Sequence, residues 1–294
     1  MRIYNPKNWF DILFQFHRSD TLRKLSKLIL IIAAYSGAIA FLEFNVFSKY
    51  ENTFLKNLYH LHTLLGFALS LLLVFRTNTA YDRWWEGRKL WGALVNNSRN
   101  LAIKLNTLLP EDDRENREYF SRMIPLYAKV LKEHLQSEYT RFILDEEEHP
   151  ELKYLDQDKH APNQIAHLIT KKIVAIHKQG LITGEQLIFV NAEIMSFTDI
   201  CGGCERIKNT PIPYSYSAFI KKFIFLYIML LPFGYAFTLG YWVMLVASVV
   251  FYVLASLEVI AEEIEDPFGK DENDLPMLKI ASNIQKHVSE ILLQ

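Results

Sequence analysis

Residues Leu58–Gly92 read LYHLHTLLGFALSLLLVFRTNTAYDRWWEGRKLWG, and the reading of this stretch decides the fold. Its first half, Leu58–Phe75, contains no Asp, Glu, Lys or Arg. Its second half opens at Arg76 and crowds Arg83, Trp84, Trp85, Glu86, Arg88 and Trp91 together. A helix rises ~1.5 Å per residue and a bilayer core is ~30 Å thick, so the apolar half, with Asn57 and its flanks, is long enough to span. The Phe75–Arg76 boundary then has the character of a membrane–water interface, with cations and an aromatic belt just outside it. No proline interrupts the passage, so the pattern predicts one continuous helix that leaves a membrane and enters a soluble domain. Gly66 costs such a helix only ~1 kcal/mol relative to alanine and permits close packing.

Composition fits this division. Half of the 294 residues are apolar and the net charge is −1, which argues against disorder and against a nucleic-acid partner. The near-zero mean hydropathy is too low for a bundle lying wholly in lipid and suits a membrane layer joined to a large soluble part. The two cysteines, Cys201 and Cys204, make no disulfide scaffold. The first residues, MRIYNPKNWF, lack the pattern of a cleaved signal peptide.

Working outward, Met1–Lys27 reads as an interfacial segment, with Trp9, Phe10, Leu13, Phe14 and Phe16 mostly on one helical face and a cationic end at Arg18–Lys27. Leu28–Leu42 is the first span. Beyond the organising helix, Ala93–Lys222 is soluble in character. Helical spacing recurs over Asn97–Leu109, Tyr119–Phe142 and Asn163–Lys178, broken at Pro110–Asn116 and by an acidic loop over Asp145–Pro162. Thr183 and Gln186 have capping-box spacing and open a further helix. Phe223–Leu257 has no charged residue, and one helix of that length (~50 Å) would overshoot a bilayer. The pattern predicts two helices joined at Leu239–Trp242 by a turn at Gly240, with Pro232 kinking the first. Four spans put both termini on one side, together with Arg76, Arg83, Arg88, Lys221 and Lys222. By the positive-inside rule that side is cytoplasmic. The organisation is therefore 1–92 (interfacial segment and spans one and two), 93–222 (cytoplasmic helical domain), 223–261 (spans three and four) and 262–294 (cytoplasmic C-terminal segment).

No acid, base and nucleophile set converges and no phosphate-binding loop is present, so the sequence carries no sign of an enzyme. Cys201-Gly-Gly-Cys204 lacks the second pair that zinc wants and the βαβ setting of a redox dithiol, and reads as buried thiols in a tight helix contact. His60 and His62 read as interfacial or pore-lining polar groups. Phe67, Leu71 and Phe75 recur in steps of four and share one face. By themselves they fit lipid or core contact. In a cyclic oligomer the same face would ring a shared axis and make a hydrophobic constriction.

Three blocks carry a family resemblance: FRTNTAYDRWWEGRKLWG (Phe75–Gly92), GGCERIKNTPIPYSY (Gly202–Tyr216) and EEIEDPFGKDENDLP (Glu262–Pro276). In this order, with spans between them, they resemble bestrophins in their bacterial form over essentially the whole chain. The resemblance implies an all-α membrane protein with four transmembrane helices per subunit, forming a pentameric ring around a central pore in the bacterial inner membrane. It implies passive conduction of monovalent ions through a neck of Phe67, Leu71 and Phe75, without a cofactor. Arg76, Asn78, Arg83, Trp84, Trp85, Glu86 and Trp91 form its membrane-boundary signature, with the tryptophans at the boundary and in subunit packing. Glu185 aligns with the narrow cytoplasmic aperture of the family, usually apolar or small, and departs from that pattern. The family contains anion channels and cation-conducting bacterial members, so the resemblance leaves the ion sign open. Glu263, Asp266, Asp271 and Asp274 fall where eukaryotic relatives carry a calcium clasp, although the segment lacks the EF-hand glycine and has Pro276 in the ligand region. The alternative of another class is a membrane-anchored helical scaffold that binds a cytoplasmic partner protein.

Overall fold

In the computed structural model the described residues are 20–45, 53–136, 156 and 159–293. The proposed interfacial face (Trp9 to Phe16) and most of the acidic loop lie outside them. The described residues are helical: α1 (Asp20–Asn45), α2 (Thr53–Leu108), α3 (Arg114–Gln136), α4 (Ala161–Lys178), α5 (Gly184–Asn209), α6 (Tyr214–Leu239), a 3-10 turn (Gly240–Trp242), α7 (Val243–Glu265) and α8 (Met277–Leu292).

Helix α2 carries 56 residues without a proline and runs unbroken through Phe75–Arg76, for ~84 Å at the standard rise. It absorbs the pattern expected as a separate helix over Asn97–Leu109. It stops at Pro110, and α3 starts where the Asp113 carboxylate accepts the Asn116 N–H at 3.2 Å. Helix α5 is opened by the full capping box: the Thr183 hydroxyl accepts from Gln186 N–H, and the Gln186 side chain accepts from Thr183 N–H. The long uncharged run divides where expected. Gly240 takes φ +59°, a conformation that a side chain resists, and the chain reverses through the 3-10 turn into α7.

Two compact units result. One comprises Arg2–Asp82 and Ile212–Glu265. Here α1, α6 and α7 pack on one another. Leu25 and Ile32 of α1, Leu69 and Leu73 of α2, Ile224 and Ile228 of α6, and Ala247 and Phe251 of α7 share its core. The other unit comprises Arg83–Pro211 and Asp266–Gln294. There α3 packs on α4 and α8, and α5 on α4. Its core includes Trp91, Leu101, Tyr127, Ile169, Phe197 and Ile284.

Among the described residues four stretches are long and apolar enough to cross a membrane: Thr21–Asn45, His60–Leu108, Gly184–Asn209 and Tyr214–Glu265. The last contains both α6 and α7, each long enough to span on its own. Helix α5 was not read as a span. Its apolar residues Val190, Phe197, Ile200 and Ile207 are buried in the second unit, and it also carries Glu185, Glu193, Asp199, Glu205, Arg206 and Lys208. Its buried apolar residues belong to the core of that unit.

Candidate functional site

Helix α2 has two opposed faces. Leu69, Leu73, Arg76 and Ala80 are buried at steps of four, three and four. Phe67, Leu71 and Phe75, on the other side, are 70, 48 and 55% exposed. The helical period produces this split: two residues on from Phe67 or Leu71 the chain has turned to the core. Gly66 and His62 lie where α2 meets α6. The His62 ring is buried and stacks on Tyr227 with centroids 3.9 Å apart, its edge toward Tyr235 at 5.6 Å. His62 is therefore a packing residue and not the interfacial or pore-lining group its sequence position suggested. A Cβ on Gly66 would come within 2.7 Å of the Tyr227 hydroxyl, so glycine is what lets these helices meet.

Arg76 follows the exposed stripe directly and is itself fully buried. Its Nη2 donates to Glu265 Oε2 at 2.7 Å, and its Nε faces Glu258 Oε1 at 3.4 Å. The second oxygen of Glu265 accepts the Ile212 N–H at 2.7 Å. One guanidinium thus joins α2 to the end of α7, and through Glu265 to the start of the chain that leads into α6. Sequence reasoning placed Arg76 at a water boundary and missed these partners. The only available signal was acidic residues at the far end of another apolar run. Lys24–Glu263 (2.8 Å) and Lys221–Glu262 are further ion pairs of this unit.

The rest of the signature does other work. Arg83 donates from Nη1 to Thr210 O and from Nη2 to Ile207 O, both at 2.5 Å, and so satisfies carbonyls at the C-terminus of α5. The Trp84 indole N–H donates to Asn273 O at 3.0 Å. Glu86 accepts from Arg206. Gly87 lies against Pro267 and Phe268. Asn78 and Trp85 are exposed. Trp91 is wholly inside the core, with no surface to offer to lipid or to a neighbouring subunit.

The acidic segment folds on itself. Asp274 is 2% exposed; its Oδ2 accepts the Asp271 N–H at 2.5 Å and would lie 2.7 Å from a Cβ on Gly269. Burial pushes the Asp274 carboxyl up to about 7, with the charges of Asp271 and Asp266 adding to it. Glu263 is engaged by Lys24. Among the described residues these carboxylates do not bring three ligand atoms within 4.8 Å of one another, a spacing that His134, His160 and Glu205 alone reach.

Glu185 sits in the first turn of α5 and is exposed, as are Ile188, Phe189 and Met195 on the same helix. Cys201 and Cys204 are free, buried thiols, and burial pushes Cys201 up to about 12, which makes it unreactive. Of the two glycines between them, Gly203 alone is tightly packed: a Cβ there would lie 3.0 Å from Leu90, whereas one on Gly202 would meet open space.

Among the described residues, helices of lipid-spanning length with an outward apolar stripe define a helical membrane protein. The model of the bacterial and fungal bestrophin proteins matches residues 1–290, and the chain belongs to the bestrophin family. It is 33% identical over 292 residues to a voltage-dependent anion channel-forming protein of Nostoc sp., covering 97% of this chain and 92% of that one. It is 30% identical over 289 residues to the voltage-dependent anion channel-forming protein YneE of Escherichia coli K12, with 97% and 92% covered. The crystal structure of a bacterial bestrophin homologue from Klebsiella pneumoniae matches with a TM-score of 0.79 at 26% identity, over 90% of this chain and 97% of that one.

Proposed function

We propose that this protein is a pentameric ion channel whose pore is lined by α2, with Phe67, Leu71 and Phe75 as the neck. The observation that carries this reading is the exposed stripe on α2, held outward by the buried Leu69, Leu73 and Arg76 behind it. A stripe on one chain encloses nothing. Repeated around a closed ring it makes stacked apolar girdles that control wetting. The names of the Nostoc and E. coli relatives support conduction, and the Klebsiella homologue supports the fold.

Residues 1–92 and 223–261 then form the membrane part, and 93–222 and 262–294 the cytoplasmic part, with both termini on the cytoplasmic side of the bacterial inner membrane. Conduction is passive and needs no cofactor. The exposed apolar residues of α5 near Glu185 (Ile188, Phe189 and Met195) supply further surface for subunit contact. Glu185 forms a second ring on the cytoplasmic path, and a ring of carboxylates favours monovalent cations over anions. The relatives' names point to anions, so the sign is the sharpest test. Purified protein reconstituted into planar bilayers should carry current, and the reversal potential in asymmetric salt gives the ion sign. A protein that assembles in mild detergent but carries no current would overturn the proposal.

A further inference from the structure

Three side chains that the channel reading does not use converge from three elements of the second unit. His134 lies in the last turn of α3, His160 is the N-cap of α4, and Glu205 lies on α5. Nε2 of His134 and Nε2 of His160 each lie 2.6 Å from Glu205 Oε1, and the two imidazole centroids are 4.5 Å apart. The side chains are 21, 32 and 29% exposed, so the cluster is half-buried with one side open to water.

We propose that His134, His160 and Glu205 form a site for a divalent transition metal of the zinc type, which clamps α3, α4 and α5 together. Two imidazole nitrogens and one carboxylate oxygen make a borderline-soft donor set. It suits zinc, cobalt or copper and not calcium or magnesium, which take oxygen ligands. Ligand bonds of ~2.0–2.1 Å in a tetrahedron put the ligand atoms roughly 3.3 Å apart. The present 2.6 Å contacts therefore need the Glu205 carboxylate to retreat by less than ~1 Å, which a partly exposed side chain does by torsion. Water fills the fourth position on the open side.

His160 Nδ1 accepts the Asn163 N–H at 3.2 Å, so its proton resides on Nε2 and is donated to Glu205. A metal taking Nε2 moves that proton to Nδ1 and ends the cap bond, so metal and N-cap compete for one ring. Lys208, whose Nζ donates to His134 O at 3.2 Å, adds one nearby positive charge that the Glu205 carboxylate offsets. The intervals of 26 and 45 residues between the three positions match no metal motif, which is why only the fold exposes the cluster.

The test is cobalt binding to the full-length, tag-free protein in detergent, after removal of metal by a chelator. Co²⁺ gives visible absorption bands whose intensity reports tetrahedral coordination. The expected result is one saturable Co²⁺ per chain, displaced by Zn²⁺. His134→Ala and His160→Ala should each weaken binding by more than the ~10–100-fold typical of residues that only support a ligand. Glu205→Gln keeps a hydrogen-bond acceptor between the histidines, so it should fold and bind more weakly than wild type. No saturable Co²⁺ signal in the stripped wild type would overturn the site. So would wild-type affinity in the His134→Ala/His160→Ala double variant or, where that variant does not fold, in Glu205→Gln. The readout does not depend on conduction, so its failure is distinct from failure of the channel reading.

Discussion

Arg76 Nη2 lies 2.7 Å from Glu265 Oε2, and the two residues are 189 positions apart in the chain. Arg76 is the residue immediately after the stripe of Phe67, Leu71 and Phe75, so its anchoring fixes the rotation of α2. A helix turned by one residue would swing each side chain ~100° and carry the stripe off its face. The buried guanidinium is thus the device by which the last turn of α7 determines what α2 presents outward.

Arg76→Ala leaves Glu258 and Glu265 without their cation in a buried setting. Breaking a buried pair from one side typically costs ~3–5 kcal/mol. The variant should show a large drop in thermal midpoint in detergent, and Glu265→Gln, which keeps an acceptor for Arg76, a smaller one. Equal midpoints for wild type and Arg76→Ala would show that the guanidinium does not hold α2 in place.

Gly66→Ala tests the packing beside the stripe. Helix propensity alone predicts a gain of ~1 kcal/mol. The new Cβ would sit 2.7 Å from the Tyr227 hydroxyl, and Tyr227 is held by its stack on His62. Overpacking of this kind costs ~1–3 kcal/mol, so the net effect is loss of stability. Calorimetry or thermal unfolding followed by helical signal gives the sign directly, and a stabilised variant would mean that Tyr227 swings away freely.

Replacing Phe67, Leu71 and Phe75 together by alanine removes the bulk of the proposed neck without touching the buried face of α2. Single-channel current should rise, because wider apolar rings stay wet more of the time. An assembled triple variant with wild-type current would assign the stripe to lipid contact.

Asp274 provides a pH signature in the other unit. Its carboxyl titrates at about 7 in the fold, against an ordinary 3.8. Between those values the unfolded chain has released a proton that the folded chain retains, so this residue lowers stability as pH rises from ~4 to ~7 and adds no further slope above. Asp274→Asn removes that slope. The thermal midpoint of the variant minus that of wild type should therefore be more positive at pH 8 than at pH 5, by several degrees. A difference independent of pH would mean that the Asp274 carboxyl ionises normally.

The sequence was most legible where a one-dimensional pattern has one physical solution. An unbroken apolar-to-charged run at Leu58–Gly92 has to be a continuous helix. A charge-free run too long for one crossing has to turn, and Gly240 is where it can. The Thr183–Gln186 capping box is local, so four residues contain it. What was not legible depends on partners far along the chain. His62 looked polar and available until Tyr227 and Tyr235 closed around it, and Trp91 looked like a belt residue until the core formed on all its sides. The Arg76–Glu265 and His134–His160–Glu205 groupings arise from helix packing, which brings together residues with no common spacing.

Glu185 is where the proposed ion sign can be tested, and its setting makes it a clean probe. It lies in the first turn of α5, where a carboxylate complements the positive helix end, and it is exposed rather than engaged in a core. Glu185→Gln should thus fold normally, losing only a modest, solvent-screened interaction with the positive helix end. In a closed ring, one Glu185 from each subunit would create a negative collar that concentrates cations and repels anions, and the apolar neck has no charge with which to oppose it. Wild type should reverse toward the cation potential in asymmetric salt, Glu185→Gln should move toward zero selectivity, and Glu185→Lys should move past it toward anions. High ionic strength should shrink the differences, since exposed charges are screened within about 10 Å at 0.1 M salt. Three identical reversal potentials would show that Glu185 does not face the conduction path. An anion-selective wild type that becomes more so in Glu185→Gln would keep Glu185 in the path but assign selectivity to another ring.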